Sequence, residues 1–283
     1  GDVGFAMDAG QSASFRDLVV SHSRSPGTAL FREDLTSPPY RGIYRQFTAD
    51  SNSGMRIEAG AYNVSGGKKG TMLLADPSRN AMPMMRTTFN VQEKQVKAAR
   101  LYATARGVYE IHLNDRRVGD DYFNPGFTQY NRTQFYQTYD VTSILRSGRN
   151  ALGISLGEGW WSGLLGYSPM WNTFGDRPWM LAKLAITYQD GSVDVVTSND
   201  TDWKYFNAGP VVYSSFYMGE VYDATREVAV EGWSTAGYDD RGWSKVAKVE
   251  LPNTVFRPTF GELKGDATDN DFDRLEILGQ IGE

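Results

Sequence analysis

The sequence contains no cysteine, only two histidines and no apolar run of membrane-spanning length. Each absence closes a class of chemistry. Without thiols there is no disulfide framework, no thiolate zinc site and no cysteine nucleophile. His22 and His112 are far apart and neither has a Glu-x-x-His companion, which argues against a histidine zinc site. A membrane-crossing helix needs roughly 20 consecutive apolar residues, and none is present, so no membrane partner is expected. The 29 basic and 34 acidic residues give a net charge of −5 with no basic block, so nothing gathers a nucleic-acid backbone. No Walker loop, GxSxG elbow or dinucleotide fingerprint occurs. The chain opens Gly1-Asp2-Val3-Gly4-Phe5, without an initiating Met or a basic leader, and reads as starting inside a longer chain.

What is present points to strands. The 283 residues include 30 Gly, 16 Tyr, 14 Phe and 7 Trp, and Gly-rich turns separate short β-branched and aromatic runs. Tyr109, Ile111 and Leu113 alternate with Glu110 and His112, a period of two. Strands are predicted at 84–91, 96–105, 108–113, 133–139, 151–156, 179–188, 193–197, 202–206 and 211–217. Arg106-Gly107 reads as a tight hairpin and Asn114-Asp115 as another turn. Asp140 can cap a single helical turn over 140–145. Upstream, 3–7 and 13–20 read as strands around a turn at 8–12, with Asp17 on a face that should be apolar. Pro26-Gly27, Ser37-Pro38-Pro39, Gly66-Gly67 and Asp76-Pro77 break residues 21–83 into pieces, with short strands at 41–48, 55–58 and 71–75. The expectation is an all-β chain: an antiparallel jelly-roll sandwich, galactose-binding-like, with an additional N-terminal β segment.

Between residues 99 and 224 the chain resembles a known family. The motifs are Ala-Arg-Leu-Tyr-Ala-Thr-Ala-Arg-Gly-Val-Tyr-Glu-Ile-His-Leu-Asn (99–114), Arg-Val-Gly-Asp-Asp-Tyr-Phe-Asn-Pro-Gly-Phe-Thr-Gln-Tyr (117–130) and Tyr-Gln-Thr-Tyr-Asp-Val-Thr (136–142). Leu-Gly-Glu-Gly-Trp-Trp-Ser-Gly (156–163), Asn-Thr-Phe-Gly-Asp-Arg (172–177) and Gly-Glu-Val-Tyr-Asp-Ala (219–224) follow in order. All six are similar to the N-terminal region of bacterial α-L-rhamnosidases, glycoside hydrolase family 78. Two departures stand out: Glu158-Gly159-Trp160-Trp161 where the family has Asp-Gly-Trp-Tyr, and Asn114-Asp115 where it has Asn-Gly. Residues 1–25 are similar to the closing strands of a concanavalin-like sandwich. On this reading 26–83 is a short-strand connection, 84–259 the jelly roll, and 260–283 a linker whose end resembles a lead-in to a further β domain.

The resemblance implies an exported, periplasmic or extracellular, bacterial protein of plant-polysaccharide degradation. Its carboxylate pair would lie on a downstream (α/α)6 barrel, and no long helical pattern of that kind is present here. The segment is therefore expected to be a non-catalytic accessory domain that binds or positions rhamnose-containing carbohydrate, its other partner being the catalytic domain of the same chain. Calcium is the implied cofactor. Asp120, Asp121, Asn172 and Asp176 would supply its hard oxygen ligands, against the alternative that the aspartates satisfy turn amides and pair with Arg177 or Arg132. Trp160, Trp161, Tyr167 and Asn172, near Trp171, would contact sugar, since C–H edges of sugars stack on aromatic faces. The alternative is core packing, with one of the two adjacent tryptophans inside. Two other functions stay open: a purely structural spacer on the barrel, and a free-standing glycosidase using carboxylates such as Glu110, Glu158, Glu220 and Asp223.

Overall fold

A computed structural model describes residues 3–16, 19–22, 25–32, 45–48, 54–58, 60–75, 81–165, 172–175, 177–217, 219–249, 255–258 and 280–282. The chain divides into two units. The first is Gly1–Ala81 with Pro210–Tyr213 and Val221–Asp223. Its strands are β1 (Val3–Met7), β2 (Ser12–Phe15), β3 (Val19–His22), β4 (Ser25–Arg32), β5 (Arg45–Thr48), β6 (Gly54–Glu58), β7 (Ala61–Ser65) and β8 (Thr71–Ala75). They pair as β1-β8-β5, β2-β7-β6 and β3-β4. The buried Phe5 ring meets Phe15 at 4.3 Å and Tyr62 at 5.7 Å, so apolar positions on three strands converge. Contrary to the sequence reading, Pro26-Gly27 does not interrupt the chain here but lies inside β4. Among the described residues that strand pairs with β3, and register shifts on both sides of Ser21 leave Pro26 and Gly27 out of the paired positions, where a missing N–H costs nothing to the ladder. Asp17 lies outside the described residues.

The second unit is Met82–Gly209, Ser214–Glu220 and Ala224–Glu283. The remaining strands are β9 (Met84–Val91), β10 (Val96–Arg106), β11 (Val108–Leu113), β12 (Arg116–Arg117), β13 (Thr133–Asp140), β14 (Gly148–Gly157), β15 (Trp179–Tyr188), β16 (Val193–Thr197), β17 (Lys204–Phe206), β18 (Val211–Ser215), β19 (Gly219–Tyr222), β20 (Ser244–Lys245), β21 (Ala247–Val249), β22 (Val255–Pro258) and β23 (Gln280–Gly282). One sheet runs β21-β23-β15-β10-β13-β22, with β16 also on β15. The other runs β12-β11-β14-β9-β17-β20, and β18 pairs β19 as a separate ribbon. Pairing within the two large sheets is antiparallel except between β13 and β22.

Period-two alternation builds the core. Ala99, Leu101, Ala103 and Ala105 of β10, with Leu184 and Ile186 of β15, join Ile111 and Leu113 of β11 and Ile154 and Leu156 of β14 in one buried cluster. Each large aliphatic side chain so buried contributes roughly 1.5–3 kcal/mol relative to exposure. The small alanines of β10 leave room for these larger side chains.

Arg106-Gly107 is not a hairpin. β10 pairs with β13 and β15 in one sheet, whereas β11 pairs with β12 and β14 in the other. The corner is possible because Gly107 has φ 117° and lies against the Gly157 carbonyl. Asn114 and Asp115, by contrast, form the expected tight turn between β11 and β12, with φ 53° and 66°. The Asp115 carboxylate also accepts from the Ser234 hydroxyl at 3.1 Å, which helps Asp serve where the family has Gly.

The turn after β13 is capped as expected. Asp140 Oδ1 accepts from the Thr142 N–H at 3.0 Å and its hydroxyl at 2.6 Å, and Arg100 lies 2.7 Å from Oδ2. The Thr142 hydroxyl above all holds this carboxyl below its ordinary range. A depressed carboxyl stabilises the fold above its unfolded pKa of about 3.9 and stops doing so as pH falls through its folded value. Asp140 is exposed, so the effect is small. Asp140→Asn is expected to lower the urea midpoint modestly at neutral pH and leave it unchanged in strong acid. An equal loss at both would show that charge is not the cause.

The outer face of the six-stranded sheet is covered by the 231–243 segment. Arg86, fully buried on β9, donates from Nε to the Trp233 carbonyl at 2.8 Å and from Nη2 to the Thr235 carbonyl at 2.9 Å. Its Nη1 pairs with Asp240, which also takes Lys204 Nζ at 2.7 Å. The Trp233 indole lies against Gly153, where a Cβ would come within 2.4 Å of the ring.

Candidate functional site

Strand registers place two long connections at one end of the sandwich. Arg106, ending β10, is opposite Trp179, which starts β15; Val108, starting β11, is opposite Gly157, which ends β14. The segment between β12 and β13 is fixed there by a buried polar network. Tyr109 Oη donates to Gln137 Oε1 at 2.5 Å and lies 3.3 Å from Tyr139 Oη. Gln137 Nε2 donates to the Pro125 carbonyl at 3.3 Å, and Asn124 Nδ2 donates to Tyr139 Oη at 3.1 Å. These bonds replace the water that buried polar groups give up. On the outside, Arg117 donates to the carbonyls of Gly119 at 2.8 Å and Asp121 at 2.5 Å, and its guanidinium lies 4.8 Å from the Tyr122 ring. The segment so braced displays Tyr122, Phe123 and Phe127, which are 72, 64 and 55% exposed.

The connection after β14 begins with one helical turn, α1 (Gly159–Ser162). At 3.6 residues per turn, adjacent side chains diverge by about 100°, and this separates the two tryptophans. Trp160 is half-buried and stacks on Phe216 at 4.0 Å, with Phe127 edge-on at 5.8 Å. Phe123 meets the same Phe216 at 5.1 Å. Trp161 is buried, and its Nε1 donates to the Arg177 carbonyl at 2.9 Å. Tyr130 packs edge-on against it at 5.3 Å and Phe174 lies over it at 6.4 Å. Phe174 also contacts Phe127 at 5.9 Å, which joins the two connections into one aromatic surface.

The sequence-derived residues therefore take different places. Trp160 contributes to the surface, whereas Trp161 supports it from below. Asp120 and Asp121 are exposed on the first connection. Asn172 is on the second, at φ 55°, with its N–H bonded to the Ser162 carbonyl at 3.1 Å. Tyr167, Trp171 and Asp176 lie outside the described residues. Two carboxylates and one amide are oxygen donors of the kind calcium takes, although calcium uses six to eight ligands. Among the described residues, no three His, Asp or Glu side chains gather as a metal-binding group. Of the other acids, Glu110 is exposed 3.7 Å from Arg117, Glu158 is buried beside α1, Glu220 is exposed and Asp223 is buried. Sequence reading missed Phe123, Phe127, Phe174 and Phe216. The available signal was Tyr-Phe-Asn-Pro-Gly-Phe at 122–127: three aromatics around a Pro-Gly turn, outside any alternating strand.

The sequence profile of the α-L-rhamnosidase N-terminal domain matches residues 94–262, more than half of the chain. The chain belongs to this family. It is 42% identical over 191 residues to an α-L-rhamnosidase of Streptomyces avermitilis, covering 66% of this chain and 18% of that protein. It is 39% identical over 198 residues to one from Alteromonas sp. (strain LOR), covering 68% and 21%. The rhamnosidase N-terminal domain thus spans about a fifth of the length of these curated relatives. Among solved structures, it matches the Streptomyces avermitilis α-L-rhamnosidase complexed with L-rhamnose at TM-score 0.59, with 42% identity over 63% of this chain and 17% of that one. The Aspergillus terreus α-L-rhamnosidase matches at TM-score 0.58, with 38% identity over 62% and 20%. The expected family and the all-β sandwich are both borne out.

Proposed function

We propose that this rhamnosidase N-terminal domain is a non-catalytic carbohydrate-binding module that positions rhamnose-containing glycans for a catalytic domain elsewhere in the same protein. One observation carries the reading: Tyr122, Phe123, Phe127 and Trp160 form a continuous aromatic surface at one end of the sandwich, on connections that the core holds in place. Such a surface takes the C–H edge of a sugar, while neighbouring polar groups orient its hydroxyls. A 6-deoxy sugar such as L-rhamnose adds an apolar methyl to that edge. Asp120, Asp121 and Asn172, with Asp176, are the groups that would hold calcium beside it. The match to a structure complexed with L-rhamnose supports the choice of sugar.

Calorimetric titration with L-rhamnose, in calcium and then in chelator, tests the reading. A dissociation constant in the micromolar to millimolar range, roughly −8 to −4 kcal/mol, is expected. Trp160→Ala should weaken it by about tenfold or more, since loss of one aromatic platform costs on the order of 1.4 kcal/mol. Binding lost in chelator would assign the calcium role to the acidic connection. No heat at concentrations that reveal millimolar binding would leave the domain as a structural spacer.

A further inference from the structure

Beneath Trp160 and Phe127 the aromatic surface rests on a half-buried cation. Arg106 ends β10 with its guanidinium carbon 4.5 Å from the Trp161 ring centroid and 4.7 Å from that of Trp179. Its Nη2 donates to the Tyr130 carbonyl at 2.9 Å. Each bond leads outward. Trp161 belongs to α1, whose next side chain is Trp160. Tyr130 meets Phe127 edge-on at 6.1 Å and Phe174 at 5.1 Å. Gly175 lies against the Trp161 indole so closely that a Cβ would come within 2.0 Å of it, which shows how little freedom that ring has. Burial lowers the Arg106 pKa to about 10, so the group still carries its charge at neutral pH.

We propose that Arg106 is the positioning residue of the sugar-binding surface, locking Trp161 and Tyr130 so that Trp160 and Phe127 stand at a fixed separation. The inference rests on the carbohydrate-binding reading and adds a specificity determinant to it. A guanidinium is planar and can be sandwiched between two rings while donating in its own plane; an ammonium cannot do both. Arg is therefore required here rather than positive charge alone.

The test uses Arg106→Lys and Arg106→Met in the full chain, with Trp179→Phe as a milder variant that reduces the second ring beside the cation. Three quantities are read: thermal midpoint, the near-ultraviolet circular dichroism of the indoles, and L-rhamnose affinity. In folded variants the indole bands should collapse and affinity should fall about tenfold for Lys and Met and about threefold for Trp179→Phe. Unchanged indole bands and affinity within twofold in a folded Arg106→Lys would overturn the proposal. If both Arg106 variants fail to fold, Trp179→Phe decides it by affinity alone, since that change itself removes one of the indoles the spectrum reports. If the unchanged protein binds no rhamnose, the sugar reading fails alone, and the indole signature still decides whether Arg106 sets the surface.

Discussion

Asp240→Ala is expected to destabilise the second unit by about 3–5 kcal/mol, the range for removing one partner of a buried ion pair. Arg86 is fully buried, and burial already pulls its pKa down. The Trp233 and Thr235 carbonyls remain as acceptors after the change, but neither carries the negative charge that balances the guanidinium. Lys204 loses the same carboxylate, so two cations are left facing each other across its place. The 231–243 segment, with Trp233 on Gly153 and Trp243 stacked on Phe206 at 5.4 Å, should loosen as one piece. Urea denaturation of Asp240→Ala, with hydrogen exchange across 231–243, measures this. The double change Arg86→Met with Asp240→Leu should recover most of the loss, because the cost lies in an unbalanced charge rather than in lost area. A single-variant loss under about 1 kcal/mol would show that water reaches and screens the pair.

Gly107→Ala should be nearly as severe, at about 3 kcal/mol or more, because strain and collision act together. The residue has φ 117°, which L side chains rarely adopt. A Cβ there would lie 2.4 Å from the Gly157 carbonyl oxygen and 3.3 Å from Pro178. Neither neighbour is a flexible side-chain tip that can swing aside. The corner joins the two sheets directly beside Arg106, so relief by backbone movement would also disturb the aromatic surface. Loss of stability and of rhamnose binding in the same variant is the expected result. A variant as stable as the parent would mean that the corner can re-form with negative φ.

The sequence by itself settled the elements whose cause is local. Alternation over 108–113 names a strand, because a half-buried pleat satisfies a period of two, and short apolar and β-branched runs between turn residues name those at 84–91 and 179–188. Asn114-Asp115 names its turn, because those residues tolerate positive φ. Asp140 names its cap, because its carboxylate reaches an N–H two residues on. The Trp160-Trp161 pair was legible as one surface and one buried residue, but not in which order. That order follows from how α1 is set against Tyr130 and Phe174.

Tertiary structure decided what depends on partners distant in sequence. Arg106-Gly107 resembles a hairpin in local pattern and is a corner between sheets, because pairing partners of β10 and β11 come from β13, β15 and β14. Phe127 gains its meaning from Trp160 and Phe174, and Gln137 from Tyr109 and Pro125, each brought close by register rather than by spacing. Arg106 stands within a family motif, but nothing in its local sequence marks this positioning role. Its two indoles and its carbonyl acceptor converge because antiparallel pairing puts the end of one strand beside the beginning of the next, and a planar cation fills the gap that they leave.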